Sequence, residues 1–398
     1  MMSNIPPELL NRGVDEIIVR EDLEKKLKSG KKMRIKFGID PTASDLHLGH
    51  GVCLHKLREF QELGHKVVLI IGDFTARIGD PTGRSSTRKF LTKKEVEKNM
   101  KDYLDQAENI LDIKKVEIRY NSEWFDKAKA DLIMELTLKQ TVARVLERND
   151  FQKRLKAGED IAMQEALYPL MQGYDSVMVK SDVELGGTDQ KFNMLMGRDI
   201  QRKYAQEPQA VMTMPLLIGI DGKKKMSKSF NNYITFDEEP DVQYGKIMSI
   251  PDNLIAHYFE LAARTAGKEL TAIKNKLKNP KNRRGLKAEL AREIVTLYHG
   301  AEAGLVAEEN FNRIFRDKKP PLDMLEKFVK KNHYKDLSVL LFDLNLVSSK
   351  NEARRMLTQG AVRIDQAKIE DSKADITLYD GMIIQVGKLK FVKIRIKN

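Results

Sequence analysis

His47 and His50 stand three residues apart in the string His47-Leu48-Gly49-His50, and Lys225 and Lys228 stand three apart in Lys225-Met226-Ser227-Lys228-Ser229. The first string follows Phe37-Gly38-Ile39-Asp40-Pro41-Thr42, which reads as the end of a strand, and it opens a helical pattern. Helix starts gather unpaired N–H groups and positive dipole, so this is a place for phosphate. A spacing of three puts both imidazoles on one face of the first turn, where they can donate to phosphate or ribose oxygens. Gly49 leaves room there for a flat base. The plainer alternative is two surface histidines near a helix cap. The lysine string follows a late strand and an Asp221-Gly222 turn, so it could close over a pyrophosphate and stabilise the charge that develops as it leaves. Polybasic runs are more often solvated surface or localisation signals, so its meaning depends on its company.

Three further strings carry polar chemistry. Gly79-Asp80-Pro81-Thr82-Gly83-Arg84, with Arg88, leaves the carboxyl end of a second strand, where open α/β sheets bind ligands. Asp80 suits an ammonium, and Arg84 and Arg88 suit phosphates, although such strings commonly serve as plain turns. Within the apolar stretch Ile161 to Lys180, the residues Gln164, Tyr168, Gln172 and Asp175 recur at spacings of four, four and three. That is one narrow polar stripe on a buried helix, which needs either a polar ligand or a solvated face. Pro169 kinks this helix or begins a new one. Gly186-Gly187-Thr188-Asp189-Gln190 is a glycine turn into a helix, with a carboxylate for a ribose and an amide for a carboxylate.

The elements that must position these residues alternate in the first half. Arg34 to Ile39 and Lys66 to Ile71 read as strands, with a helix from about Gly49 to Leu63 between them. Val14 to Lys28, Lys94 to Leu111, Asp131 to Asp150 and Thr188 to Lys203 read as helices, and Val116 to Tyr120 and Val211 to Ile220 as strands. Such alternation predicts a Rossmann-type α/β domain with a parallel sheet over residues 1–235. From Pro240 the periodicity is helical, with an apolar stripe at Leu286, Leu290, Ile294 and Leu297, which predicts an all-helical domain over 236–320. Charges and paired prolines from Arg316 to Pro321 predict a linker over 321–335. A small α+β module over 336–398 follows, with two short helices and strands at Met382 to Val386 and Lys390 to Ile396.

Composition narrows the partners. The 398 residues carry 70 Lys+Arg against 58 Asp+Glu, a net charge of +12 that favours polyanions without requiring them. The single cysteine, Cys53, closes no intrachain disulfide, and no Cys/His cluster has zinc spacing, so a reducing, cytoplasmic setting without a structural metal is expected. Apolar runs such as Val67 to Gly72 are too short to span a bilayer.

In combination, HLGH and KMSKS resemble the paired motifs of class I aminoacyl-tRNA synthetases. GIDPTASDLHLGH, IGDPTGR, YPLMQGYD and GGTDQ, with the C-terminal module, resemble the bacterial tyrosyl-tRNA synthetases across essentially the whole chain. The resemblance implies ATP, with Mg2+, as a substrate, L-tyrosine and tRNA(Tyr) as the others, and a homodimer. It implies that Thr42 and His47 hold the triphosphate, and that Lys225 and Lys228 close on pyrophosphate, helped by Arg84 and Arg88. His50, Gly49, Gly187 and Asp189 would hold the adenosine, with Cys53 near the ribose. Asp80, Tyr168 and Gln172 would receive the tyrosine ammonium, Gln190 its carboxylate, and Asp175 its phenolic O–H. One position departs: many members carry a tyrosine two residues before the glycine of the GxDPT string, contacting the substrate hydroxyl, and this chain has Lys36 there. Phe37 and Cys53 also replace residues that are often Cys and Thr. Lys36 is therefore expected in the tyrosine pocket as a subfamily variation.

The final module, Ser349 to Leu357 and Gly360 to Asp365, resembles an RNA-binding unit shared with a ribosomal protein and pseudouridine synthases. Lys350, Arg354 and Arg355 near one helix face, with Arg363 after the turn, could clamp phosphates; the plain alternative is an exposed basic helix. Scarce aromatics favour backbone reading over base reading. Two other functions compete: a catalytically inactive RNA-binding paralogue, and a ligase acting on something other than tRNA. Intact catalytic strings count against the first, and the RNA-binding units against the second.

Overall fold

The computed structural model describes residues 6–41, 45–80, 92–128, 130–321, 324–330, 333–371, 373–387 and 390–397. It comprises two compact units, residues 1–238 with 249–286, and residues 239–248 with 287–398. The segment 236–320, read from sequence as one helical domain, thus contributes to both.

The first unit is built on six strands: β1 (Glu16–Ile18), β2 (Arg34–Ile39), β3 (Lys66–Ile71), β4 (Glu117–Tyr120), β5 (Val183–Gly187) and β6 (Ala210–Met214). They lie in the order β1-β6-β5-β2-β3-β4, parallel except for β1, which pairs antiparallel with β6. Both faces are covered, which is why Val67 to Ile71 is an unbroken apolar run with every side chain buried. Each such residue contributes about 1.5–3 kcal/mol on burial. The chain proceeds from β2 outward to β3 and β4, then returns to lay β5 on the other side of β2. The strand order reverses between β2 and β5, and ligand crevices open at such points, beyond the carboxyl ends of the strands.

Several expected elements are cut differently. Val14 to Lys28 splits into β1 and a helix, Arg20–Lys28, because Glu16–Ile18 pairs with β6 and tertiary pairing overrides the helical pattern. Asp131 to Asp150 is broken among Ala130–Leu138, Val142–Leu146 and Asn149–Lys156, with the Thr141 hydroxyl capping the second by accepting from Arg144 N–H. β6 stops at Met214, before Pro215, instead of reaching Ile220. By contrast the helix Met163–Met178 runs through Pro169. It packs on the helix Lys191–Lys203 where Gly173 meets Gly197; a Cβ on Gly173 would lie 3.3 Å from Gly197 Cα. That close approach fixes how far the helix stands from its neighbour.

In the second unit, Pro240–Met248 packs with Ala301–Phe315, and the Tyr244 and Phe311 rings meet tilted, 5.3 Å apart. A mixed sheet follows from β7 (Leu325–Lys330), β9 (Val362–Ile364), β10 (Ala367–Ile369), β12 (Ile383–Val386) and β13 (Lys390–Lys397), in the order β10-β9-β12-β13-β7. β8 (His333–Tyr334) and β11 (Ile376–Thr377) form a separate pair. The stretch read as a linker therefore contains an edge strand, β7, parallel to β13. Its exposed Leu325 and Phe328 gave no buried alternation to find in the sequence. Helices Leu337–Asp343 and Lys350–Thr358 cover the sheet through Leu340, Leu341, Ala353 and Leu357. In the apolar stripe, Leu286, Leu290 and Ile294 are buried but Leu297 is 39% exposed.

Candidate active site

A cavity of about 360 Å³ lies at the carboxyl edge of the first unit's sheet, where β2 and β5 part. It gathers Asp40 from the end of β2, His47, Gly49, His50 and Cys53 from the following helix, Asp80 after β3, and Tyr168, Gln172 and Asp175 from the helix Met163–Met178. Gly187, Asp189 and Gln190 from the end of β5, and Lys225 and Ser227 from the lysine string, complete it. Residues far apart in sequence converge because the segments after β2, β3, β5 and β6 and the helix Met163–Met178 meet at one edge of the sheet. Thr42, Arg84 and Arg88 lie outside the described residues.

At the nucleotide-like end, His47 caps the helix Leu48–Glu62 and its N–H donates to His50 Nδ1 at 3.2 Å. That bond assigns the His50 proton to Nε2. The two rings lie 3.8 Å apart, and a Cβ on Gly49 would come within 3.0 Å of the His47 ring. Any side chain here would have to push the His47 ring aside by a few tenths of an ångström. His47 Nδ1 is buried without a hydrogen-bond partner, which fits a ligand oxygen or O–H. Desolvation, with Lys228 and Lys225 close by, lowers the His50 pKa to about 4, and desolvation with the neighbouring His50 lowers that of His47 well below its usual range. Both imidazoles are neutral donors at pH 7. Lys225 Nζ lies 2.5 Å from Asp189 Oδ2, and Lys228 pairs with Asp45. The lysine string is thus tied to the carboxylates around the cleft.

The other end is a chain of side-chain hydrogen bonds. Tyr168 O–H donates to Asp40 Oδ2 at 2.8 Å, and Thr75 donates to Asp40 Oδ1 at 2.8 Å. Asn193 Nδ2 donates to both Gln172 Oε1 and Gln190 Oε1 at 3.0 Å, and Gln190 Nε2 donates to Asp80 Oδ2 at 2.8 Å. Deepest is Asp175, 4% exposed, which accepts from Trp124 Nε1 at 2.9 Å and from Asn121 Nδ2 at 3.4 Å. Burial pushes its pKa up to about 7, against the pull of Lys36 and these two donors. A carboxylate has about four acceptor sites, so capacity for another donor remains.

Lys36 does not line the cavity, contrary to the expectation of a direct ligand. Its ammonium points under the helix Met163–Met178 and donates to Gln172 O at 2.9 Å, Ser176 Oγ at 2.7 Å and Glu184 Oε1 at 2.9 Å. Its three protons are used, so it has none for a substrate. Gln164 also stays outside the lining. Sequence reasoning missed Trp124, Asn121, Thr75, Asn193 and Glu184. Trp124, the only tryptophan, and the charged Glu184 inside an apolar strand were visible signals; the others look like ordinary turn or helix residues.

A family profile described as tRNA synthetases class I (W and Y) matches residues 28–316, and an S4 domain profile matches residues 337–378. The tyrosine--tRNA ligase of Thermotoga maritima is 50% identical over 97% of this chain and 96% of its own length. That of Francisella tularensis is 47% identical over 98% of each chain. The chain belongs to the tyrosyl-tRNA synthetase family. Among solved structures, the tyrosyl-tRNA synthetase of Archaeoglobus fulgidus complexed with L-tyrosine shares the fold with a TM-score of 0.63 at 22% identity, over 75% of this chain and 98% of that one.

The expected Rossmann-type architecture and C-terminal RNA-binding module accord with this membership, and nothing favours the inactive paralogue. In this synthetase's S4 module, Lys350, Arg354 and Arg355 lie exposed on the helix Lys350–Thr358, whose Ala353 and Leu357 are buried. Arg354 lies 3.7 Å from the Asp336 carboxylate. Arg363, also exposed, donates to Gln366 O at 3.0 Å across a two-residue hairpin turn, Asp365-Gln366, with positive φ at both positions. Among the described residues no helix is long and apolar enough to cross a membrane.

Proposed function

We propose that the chain is a tyrosine–tRNA ligase, and that the cavity performs both steps. The observation that carries the reading is Asp175, a buried carboxylate at the floor of a cavity that also holds the HLGH and KMSKS strings. A phenolic O–H donates to that carboxylate; phenylalanine would leave it desolvated and unpaired. Tyrosyl-tRNA synthetases are themselves the standard example of an analogue rejected because it lacks a hydroxyl that the site is built to bond.

Asp80, Tyr168 and Gln172 receive the substrate ammonium, and Gln190 orients the carboxylate. Tyr168 donates its own proton to Asp40, which leaves its oxygen lone pairs to accept. The tyrosine carboxylate attacks the α-phosphorus of ATP, the bond to the bridging oxygen breaks, and pyrophosphate leaves; the carboxylate needs no general base. Catalysis is alignment and charge stabilisation. His47 and Thr42 hold the triphosphate, and His50, Gly49, Gly187 and Asp189 the adenosine; Lys225 and Lys228 exchange their partners Asp189 and Asp45 for the departing phosphates, which Arg84 and Arg88 also bind. Mg2+ accompanies the ATP. A ribose hydroxyl of the tRNA 3′-adenosine then displaces AMP. Lys350, Arg354, Arg355 and Arg363 hold the RNA backbone, and the helical segment 236–320 meets the anticodon region.

The chain works in the cytoplasm as a homodimer. Met134, Leu138, Val142 and Met163, at 62–82% exposed, form an apolar set on helices that pack together in the first unit, and a second copy covers it. The reading is tested by ATP–pyrophosphate exchange. Exchange should depend on tyrosine, and exchange driven by another amino acid and not by tyrosine would overturn it.

A further inference from the structure

Lys36 and Glu184 are opposite each other on neighbouring strands β2 and β5, 0% and 1% exposed, with the ammonium 2.9 Å from the carboxylate. Burying such a pair is expensive unless every remaining proton and lone pair is satisfied. Here they are engaged. Lys36 also donates to Gln172 O and Ser176 Oγ, and Glu184 accepts from Gln172 Nε2 at 3.2 Å, from Ser176 Oγ at 3.2 Å and from Gln209. Two of those partners, Gln172 and Ser176, flank Asp175 on the helix Met163–Met178. The pair therefore clamps to the sheet the one helix that supplies Tyr168, Gln172 and Asp175.

The charged and titratable groups around Asp175 come from each element packed on it. Lys36 projects from β2 and Glu184 from β5; Tyr168 lies on the same helix; Asp40 and Asp80, beside Tyr168, follow β2 and β3. Trp124 and Asn121 add neutral donors. Lys36 is the cation that faces Asp175 and Glu184, whereas Asp80 has the Arg148 guanidinium 3.9 Å away. Of the charges on Asp175, Lys36 has the larger influence and favours the ionised form, while Glu184 opposes it.

We propose that the Lys36–Glu184 pair is a positioning and specificity-determining device: it sets the register of the tyrosine-binding helix and keeps Asp175 an acceptor for the phenol without touching the substrate. This rests on the reading of Asp175 as the phenol's partner. It explains how a chain with lysine at this position dispenses with a second hydroxyl ligand. The ammonium works from behind the pocket wall, and the wall itself presents Glu184 and Gln172.

The test uses the full-length enzyme. Trp124, the only tryptophan, donates to Asp175, so its emission as a function of pH reports the protonation of that carboxyl. In Lys36→Met the midpoint should move up by about one pH unit, since one unit is the scale on which a single close charge acts. At pH 7.5 that shift lowers the ionised share of Asp175 about threefold, so the tyrosine KM should rise at least about threefold, with the ATP KM unchanged. Because that variant strands Glu184 and can fail to fold, Lys36→Gln/Glu184→Gln is measured beside it. It keeps the shapes without the charges, and should fold while moving the midpoint up by a smaller amount and raising the tyrosine KM. Midpoint and tyrosine KM both at wild-type values in a folded variant would overturn the proposal. Asp175→Asn separates the two readings: if it binds tyrosine as the wild type does, the phenol assignment fails whatever Lys36 does.

Discussion

The Trp124 indole N–H donates to Asp175 Oδ1 at 2.9 Å, from the short helix after β4 to a carboxylate that lines the cavity. The indole packs in one core cluster with the helix Met163–Met178, and together with Asn121 it holds a carboxylate that lines the cavity. Trp124→Phe keeps an aromatic ring against Phe125 but removes the donor. A hydrogen bond to a charged group is worth about 1.5–3 kcal/mol, so the tyrosine KM in pyrophosphate exchange should rise by about 10–100-fold with little change in the ATP KM. An equal loss for both substrates would mean that Trp124 acts on the fold.

Asp175 also gives a stability signature. Its folded pKa of about 7 lies above the ordinary 3.8, so the folded state binds this proton more tightly than the unfolded state. Between those values folded molecules are protonated here and unfolded ones are not, and stability falls as pH rises. The cost is absent below pH 4 and complete above pH 7, on the order of 4 kcal/mol. Asp175→Asn removes this contribution. Denaturation of wild type and variant should show the variant gaining stability relative to wild type from pH 5 to pH 8, while discrimination against phenylalanine is lost. A constant difference across that range would refute the linkage.

His47 and His50 are neutral over the physiological range because desolvation and the nearby lysines depress their pKa values, His50 to about 4. The pH profile of kcat/KM for ATP should therefore lack a limb near 6.5. A limb there that disappears in His50→Gln would contradict the electrostatics described for the HLGH turn.

Lys225 and Lys228 are paired with Asp189 and Asp45. On the proposed reading, replacing either lysine by alanine removes transition-state charge stabilisation, so single-turnover adenylate formation should slow by about 10²–10³-fold. Tyrosine affinity, measured by equilibrium binding without ATP, should stay within about twofold. Weakened tyrosine binding would place the loop in the amino-acid pocket.

The C-terminal module is best removed after Pro321, not before Asp336, because β7 belongs to the module's sheet and Arg313 bonds Pro320 O. That truncation should leave pyrophosphate exchange within about twofold and cut tRNA charging by at least about tenfold, since phosphate contacts are lost. Separately, Leu138→Asp/Val142→Asp should shift the sedimentation of the full chain from dimer to monomer, as a charge placed in a buried apolar contact is costly. Unchanged sedimentation would remove this face from the dimer contact.

The class of chemistry is legible in the residues alone. Strand ends, glycine turns and the spacing of His47/His50, Lys225/Lys228 and Tyr168/Gln172/Asp175 are local properties, and local backbone geometry turns each into a recognisable string. The apolar strands are equally legible, because a strand buried on both faces must be written as an apolar run. What Lys36 does is settled only by the packing of the folded chain. Its neighbour across the strands, Glu184, is 148 positions away, and strand register, which no local pattern encodes here, puts them side by side. The same holds for Trp124 and Asn121 on Asp175 and for Asn193 between Gln172 and Gln190. Hydrogen bonds between distant elements leave no periodicity in the chain. A lysine in the position of a substrate ligand looked like a ligand until packing turned its three protons away from the cavity.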